Sequence, residues 1–408
     1  MSELKTYRLG DLVEKITKGT TPSTLGGGFV ESGINFIKSE AVGYDGRIDK
    51  STFVFITEET HEKLKRSQLQ EGDILFSMAG IFLGKNAIVT EDVLPANTNQ
   101  ALAIIRLKRD IATPKYIHYY LRQADMVKKI NSMSGQSAQP NINFEEIKSI
   151  EVEVPDLISQ NEITSILSSL DNKIELNIQM NETLEAMAQA IFKEWFVNFN
   201  FPGFDGELVD GLPKGWRMGA LGDMVDVKGG TTPSTTVEEY WNGEYYWSTP
   251  KDLSNIHSSV LLDTERKITE AGVKQISSGV LPKGTLLLSS RAPIGYLAIS
   301  QVPISINQGY IAIQGKLVSN LFMLFWLKQN MNAVKGKANG STFQEISKSS
   351  FKEIETSIPE QGLLKLFDEV VYPIFERIVA NEIQTKTLTQ IRDGLLPKLM
   401  TGKIEVKG

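Results

Sequence analysis

Cysteine is absent from the 408 residues, which excludes disulfides and thiolate metal sites. Histidine is scarce: His61, His118 and His257 stand alone, and none has a metal-ligand partner one helical turn on. No stretch approaches the ~18 apolar residues that a membrane helix requires. The first residues, Met1 to Leu9, lack the apolar core of a signal peptide, so a cytoplasmic protein without membrane partners is the expectation. A strong net charge is missing too, at −6 overall. Most of that excess sits in residues 156–199, with two basic against seven acidic side chains, which leaves the rest near neutral. Charge therefore permits nucleic-acid binding without indicating it. What is present is an ordinary globular balance, 41% hydrophobic and 23% charged, long enough for two domains with connecting structure.

Catalytic signatures fail as well. Gly80 to Asn86 imitates a phosphate loop, but it has one residue too few between its glycines and ends in Asn where a Mg²⁺-binding hydroxyl is needed. Asp156 and Asp171 suggest a nuclease metal pair, yet along one helix they would lie roughly 22 Å apart. There is no Asn-Pro-Pro-aromatic methyltransferase motif and no glycine-rich cofactor loop. The expectation is a chain without catalytic residues, metal or cofactor of its own.

The most informative feature is an internal duplication. Leu9-Gly10-Asp11-Leu12-Val13 returns as Leu221-Gly222-Asp223-Met224-Val225, and Gly19 to Thr24 returns as Gly230 to Thr235. Asp73 to Ser77 matches Thr285 to Ser289, Asn99-Gln100 matches Asn307-Gln308, and Gly135 to Gln139 aligns with Gly340 to Gln344. Asn177 and Thr183-Leu184 match Asn381 and Thr387-Leu388. A period of about 205–212 residues is far too long for a solenoid, so a whole domain is duplicated. Each copy mixes short β-branched strands (34–38, 74–77, 87–89, 101–107) with a helix over 116–130 that Thr113 caps and Pro114 starts; Ser319 precedes its counterpart.

A helical segment follows each globular copy. Ile163, Leu167, Leu170, Ile174, Leu184 and Ile191 fall on a heptad seam, and Phe367, Val371, Ile374, Ile378, Leu388 and Leu395 repeat it. Asn177 and Asn181 interrupt the first seam, Asn381 and Thr385 the second, with Arg392 a further break. Matched seams favour helices that pair with each other over helices that pack only on their own domains. Antiparallel pairing would bring Asn177 close to Asn381 beside a pseudo-twofold axis and present the globular copies at opposite ends of a rod. Pro373 should kink the second helix or delay its start. The fold class is α+β: two duplicated α+β domains (1–155 and 216–358), a central spacer helix (156–200), a linker (201–215) and a C-terminal spacer helix (359–402), the helices forming an antiparallel coiled coil.

Several segments carry a resemblance. Gly229 to Ser234 followed by Tyr240-Trp241-Asn242-Gly243 and Trp247, Ser289 to Gly295 followed by Asn307-Gln308-Gly309, and Leu170 to Asn177 leading to Trp195-Phe196-Val197 are similar to the specificity subunits of type I restriction-modification enzymes. The likeness covers nearly the whole chain; the first copy departs where Thr24 to Gly28 replaces the Tyr-Trp step. The resemblance implies a non-catalytic subunit that chooses a split, asymmetric target on double-stranded DNA, one part per target recognition domain. It implies assembly with two modification subunits, which bind S-adenosylmethionine and methylate adenine. Two restriction subunits would add nuclease activity that depends on ATP and Mg²⁺. The helices would space the domains and dock the modification subunits.

Three polar segments recur in both copies and are the candidate DNA contacts. In the Thr-Thr-Pro-Ser loop, Lys18, Thr20 and Thr21 match Lys228, Thr231 and Thr232, hydroxyls and cations suited to phosphate. After the first strand stand Lys38 and Glu40 in one copy and Lys251 and Asp252 in the other. Gln136 and Asn141 face Gln344 in a third loop, and Arg291 follows a strand of the second copy. Because two domains should read different bases, differences within these segments are the better base readers. Asn99-Gln100 and Asn307-Gln308 are identical, which suggests a shared structural task. A tight structural turn and solvated loops are the alternatives. A protein-only adaptor that binds two protein partners across a helical spacer is the rival function.

Overall fold

The computed structural model describes residues 4–80, 83–133, 141–254, 256–339 and 344–406, in two compact units. The first comprises residues 1–172 with 389–408, and the second residues 173–388. Each is an α+β assembly built on the same plan.

In the first unit a four-stranded antiparallel sheet runs in the order Val13–Lys18, Leu102–Leu107, Ile74–Ser77, Asn86–Ile88. A smaller sheet has Ile34–Ile37 at its centre, antiparallel to Val54–Ile56 and parallel to Ala96–Thr98. The second unit repeats both. Val225–Lys228, Tyr310–Gly315, Leu286–Ser289 and Leu297–Ser300 gain a fifth strand, Val260–Leu261, while Trp241–Ser248 lies between Arg266–Ile268 and Ile304–Ile306. The apolar runs at 74–77 and 286–289 are buried on both faces. Ile74 and Phe76 enter the core beneath the helices and Leu75 the core beneath the small sheet, and Leu286, Leu288 and Leu287 divide in the same way.

The recurring Leu-Gly-Asp has a local explanation. Leu9 and Leu221 are fully buried, and their N–H groups donate to Ile150 O and Ile354 O at 2.8 and 2.9 Å. Asp11 and Asp223 accept from the backbone of Arg8 and Ala220, closing a one-turn helix. The helix expected at 116–130 is two helices, Pro114–Leu121 and Ala124–Met133, with Thr113 capping the first at Tyr116 N. Its counterpart Asn320–Gly336 is likewise interrupted, at Asn330, whose backbone is non-helical and whose side chain bonds Trp326 O. Periodicity alone does not see the break, because the apolar face continues across it.

The long helices are Leu157–Phe196 and Gln361–Met400, 40 residues each. Asp156 caps the first by accepting from Ser159 N at 2.9 Å. The second begins twelve residues before Pro373, so that proline does not delay it. In the first unit Ile163 and Leu167 share a core with Leu396, Leu399 and Met400, with Leu395 packed against it. In the second unit Ala188 and Phe192 share a core with Phe367, Val371 and Ile378, against which Leu184, Ile191 and Ile374 pack. Ile174 is buried, and Leu170 and Leu388 are half-buried.

The polar middle lies within the second unit. Asn177 Nδ2 donates to Gln384 Oε1 and Thr385 Oγ1 at 2.9 and 3.3 Å, and Asn381 Nδ2 donates to Asn181 Oδ1 at 2.8 Å. Partners that descend the second helix as the first ascends define an antiparallel pair. Exchanging Asn177 with Asn381 and Asn181 with Thr385 maps the Asn177–Thr385 contact onto the Asn381–Asn181 contact, a local pseudo-twofold. The helices thus pair with each other and also seat on their domains, where the sequence posed these as alternatives.

Candidate nucleic-acid interface

In both units the strand before the Thr-Thr-Pro-Ser loop delivers a glycine hard against the small sheet. A Cβ on Gly19 would lie 2.0 Å from Thr98 O, and one on Gly230 1.8 Å from Ile306 O, so no other residue fits. Thr21 Oγ1 then donates to Gln100 Oε1, and Thr232 Oγ1 to Gln308 Oε1. Asn99 and Asn307 turn their own chain by accepting from Ala101 N and Gly309 N. The repeated Asn-Gln step is therefore internal: the amide holds the loop and the preceding Asn shapes the turn.

That step is a hub for all three recurring segments. In the first unit Thr98 Oγ1 donates to Ile37 O, immediately before Lys38 and Glu40. Met78 N donates to Ala101 O and Ile142 N to Met78 O, which places the Asn141 backbone beside Ala79. In the second, Asn307 N donates to Ser248 O, just ahead of Lys251 and Asp252. Ser290 N donates to Gly309 O and Ile346 N to Ser290 O, which aligns Arg291 with Glu345, next to Gln344. Segments far apart in sequence thus converge at one end of each unit. Gln136 lies outside the described residues.

The individual side chains differ in how much they have left to offer. Lys18 and Lys228 are exposed and make no ion pair among the described residues. Thr20 Oγ1 accepts from Arg66 at 3.0 Å. Thr231 Oγ1 donates to Gln275 O at 2.8 Å and accepts from Ser277 N at 3.2 Å. Lys38 lies 3.8 Å from Glu40 and 5.0 Å from the Phe29 ring centre. Lys251 pairs with Glu265 at 2.8 Å, and Arg291 with Glu345 at 3.7 Å. Asp252 is occupied by the fold, since its carboxylate accepts from Thr249 N, Thr249 Oγ1 and Glu265 N. Asn141 and Gln344 are exposed.

Two cations beside the loops are not apparent from the sequence. Arg66 arrives on a short turn, Lys65–Ser67, packed on strand Val13–Lys18, and Lys348 Nζ stands 3.1 Å from where a Gly229 Cβ would be. Tryptophans strap the loop of the second unit, Trp241 Nε1 donating to Ser234 O at 3.0 Å and Trp247 Nε1 to Thr231 O at 3.4 Å. In the first unit, where Thr24 to Gly28 departs from that pattern, the loop closes as a 3₁₀ turn, Pro22–Leu25, with Gly26 left-handed.

A dense titratable cluster in the first unit is largely buried and structural. In the first unit Asp171 accepts from Tyr119 Oη at 2.7 Å and pairs with Arg392 at 2.7 Å and Arg122 at 3.3 Å. Burial opposes its charge, but hydrogen bonds from Arg392 and Tyr119 and the Arg122 cation outweigh this and hold the carboxyl below its usual range. His118 Nδ1 meets Asn86 Oδ1 at 2.8 Å. Burial, helped by the Arg122 charge, pushes the imidazole down to about 3. No group of three or more metal-ligating side chains occurs among the described residues, and no described helix is long and apolar enough to cross a membrane.

The type I restriction modification DNA specificity domain matches this chain twice, at residues 1–186 and 213–392. The specificity subunit of the type I restriction enzyme HindI from Haemophilus influenzae is 26% identical over 405 residues, which cover 83% of this chain and 88% of that protein. The MjaIX specificity subunit from Methanocaldococcus jannaschii is 42% identical over 170 residues, 39% of each chain. The crystal structure of a type I S subunit from M. genitalium shares the fold with a TM-score of 0.58 at 15% identity, covering 98% of this chain and 96% of that one.

Proposed function

The chain belongs to the type I restriction-modification DNA specificity family, and from that premise we propose that its two units read the two parts of a split, asymmetric DNA target. It is a non-catalytic specificity subunit. In the proposed complex, two modification subunits carry S-adenosylmethionine and methylate adenine, while two restriction subunits carry ATP and Mg²⁺. The assembly works in the cytoplasm.

One observation supports the reading above others. In each unit three polar segments, distant in sequence, converge around one Asn-Gln step and carry exposed Lys18 or Lys228 at their rim. Threonines tied down by the fold fix the loop, cations and backbone amides meet phosphate, and neighbours that differ between units meet base edges. The shared frame explains why both units bind duplex DNA, and the unshared side chains explain why the two parts of the target differ. On this reading Lys18, Thr20, Thr21, Lys38, Glu40, Gln136 and Asn141 face one part of the target. Lys228, Thr231, Thr232, Lys251, Asp252, Arg291 and Gln344 face the other.

The long helices set the gap between the two parts, each 40-residue helix being ~60 Å long at ~1.5 Å per residue. The acidic segment 156–199, with seven acidic against two basic side chains, is better suited to protein than to DNA, so the helices also dock the modification subunits. The test is to expose DNA to the chain assembled with its modification subunits and to sequence the modified bases. A bipartite motif with methylated adenines and a fixed gap is expected. Methylation at a continuous motif, or at none, would contradict the reading.

A further inference from the structure

The second unit holds an arginine that the recurring motifs do not contain. Arg266 opens the edge strand Arg266–Ile268 and lies opposite Trp247 on the neighbouring strand. Its guanidinium carbon is 3.4 Å from the Trp241 ring centre and 5.7 Å from that of Trp247, and the two indoles meet edge to face at 5.0 Å. Both indole N–H groups are spent on the Thr-Thr-Pro-Ser loop, so the platform under the guanidinium is fixed to that loop. Arg266 itself is exposed, and its guanidinium has no hydrogen bond or ion pair among the described residues. A side chain that is normally mobile is thus held flat, with its N–H edge open to solvent beside the candidate interface.

The first unit shows what occupies the same place there. Phe36 is the counterpart of Trp247, because Phe36 and Ile37 run parallel to Asn97 and Thr98 as Trp247 and Ser248 run parallel to Ser305 and Ile306. The residue opposite Phe36 is Val54. An aromatic pair persists, Phe29 against Phe36 at 5.3 Å, but the cation over it is a lysine from another segment, Lys38 at 5.0 Å from the Phe29 ring centre, and the edge strand carries no arginine at the Arg266 position. Phosphate contacts serve any sequence, so both units need them in like places. Base contacts must differ between units that read different half-sites. A flat, stacked guanidinium with its fork open matches the O6 and N7 acceptors of guanine, and a flexible point charge would be enough for phosphate.

We propose that Arg266 is a specificity-determining residue of the second unit and reads a guanine in the part of the target that this unit faces; the inference rests on the DNA-reading function above. Its test uses the chain assembled with its modification subunits, comparing the modified-base motifs of the wild type, Arg266→Lys and Arg266→Ala. Both substitutions should relax one G·C position in one half of the motif, with discrimination there falling about 10- to 100-fold. The other half and the gap should be unchanged. Arg266→Lys keeps the charge, so its failure to rescue separates bidentate reading from simple attraction. If Arg266→Lys restored the wild-type motif while Arg266→Ala weakened methylation at every sequence with a shallower salt dependence, Arg266 would be a phosphate contact and the proposal would fall. A motif unchanged in both variants would overturn it too, leaving the wider function intact. A wild-type complex without a bipartite motif would overturn both.

Discussion

Where the first unit seats its long helices on Asp171, Arg392, Arg122, Tyr119, His118 and Asn86, the second has Phe375, Ala188, Lys328, Phe325, Leu324 and Leu297 at the corresponding places. One junction is a buried ionic network; the other is an aromatic cluster in which Phe192, Phe196, Phe322 and Phe367 meet at 5.0–6.0 Å. The second keeps ion pairs from domain to helix at its margin, Lys328 with Glu185 and Lys386 with Asp263. The sheet plan, the Leu-Gly-Asp turn and the Asn-Gln hub nevertheless recur in both units, with one further strand in the second. The frame that presents the loops therefore tolerates opposite chemistries beneath it. Differences at the exposed end, such as Arg266 against Val54, carry a different meaning under the proposed function, because there they would face DNA.

The largest losses should follow removal of one member of each junction. Asp171→Asn strips the charge that compensates Arg122 and Arg392 and should destabilise the first unit by about 3 kcal/mol. Phe375→Ala opens a cavity and should cost the second unit a similar amount, about 3 kcal/mol. Hydrogen exchange followed separately in the two units should show each loss confined mainly to its own unit. Equal losses in both would mean that the junctions are not separate.

A smaller effect comes from pH. His118 is held neutral, with a folded value of about 3 against 6.5 when unfolded, and it is faced by the Arg122, Arg392 and Asp171 side chains. The depressed value means that its stabilising contribution is complete above pH 6.5 and declines as the pH falls toward 3. By pH 5 the unfolded state gains about 2 kcal/mol by binding the proton. Asp171, itself lowered, stays ionised across the upper part of this window. Since Leu324 replaces His118 in the second unit, amide protection should fall first in residues 4–133 on acidification below pH 6.5. Simultaneous loss in both units would remove His118 as the cause.

Much of the architecture is legible in the residues. The repeated Leu-Gly-Asp, Thr-Thr-Pro-Ser and Asn-Gln steps occur because each performs the same local task twice, and the 4-3 spacing with asparagines in the middle marks helices that pair. Thr113 and Ser319 announce their helices by capping chemistry alone. Strand order was not legible, because pairing Ile34–Ile37 parallel to Ala96–Thr98 joins residues about sixty apart, and nothing local encodes that choice. For the same reason Arg66, Lys348 and Arg266 carry no local signal, as each reaches its loop from a distant strand, turn or helix. Asp252 illustrates the converse. Its type and position suit base reading, but the neighbours that occupy its carboxylate appear only in three dimensions.

Two units that share one frame should read DNA separately. The most direct measurement replaces residues 1–155 with the corresponding domain of another family member, assembles the chimera with its modification subunits and sequences the modified bases. One half of the bipartite motif should change, with the other half and the gap retained. A change in both halves, or in neither, would contradict the account.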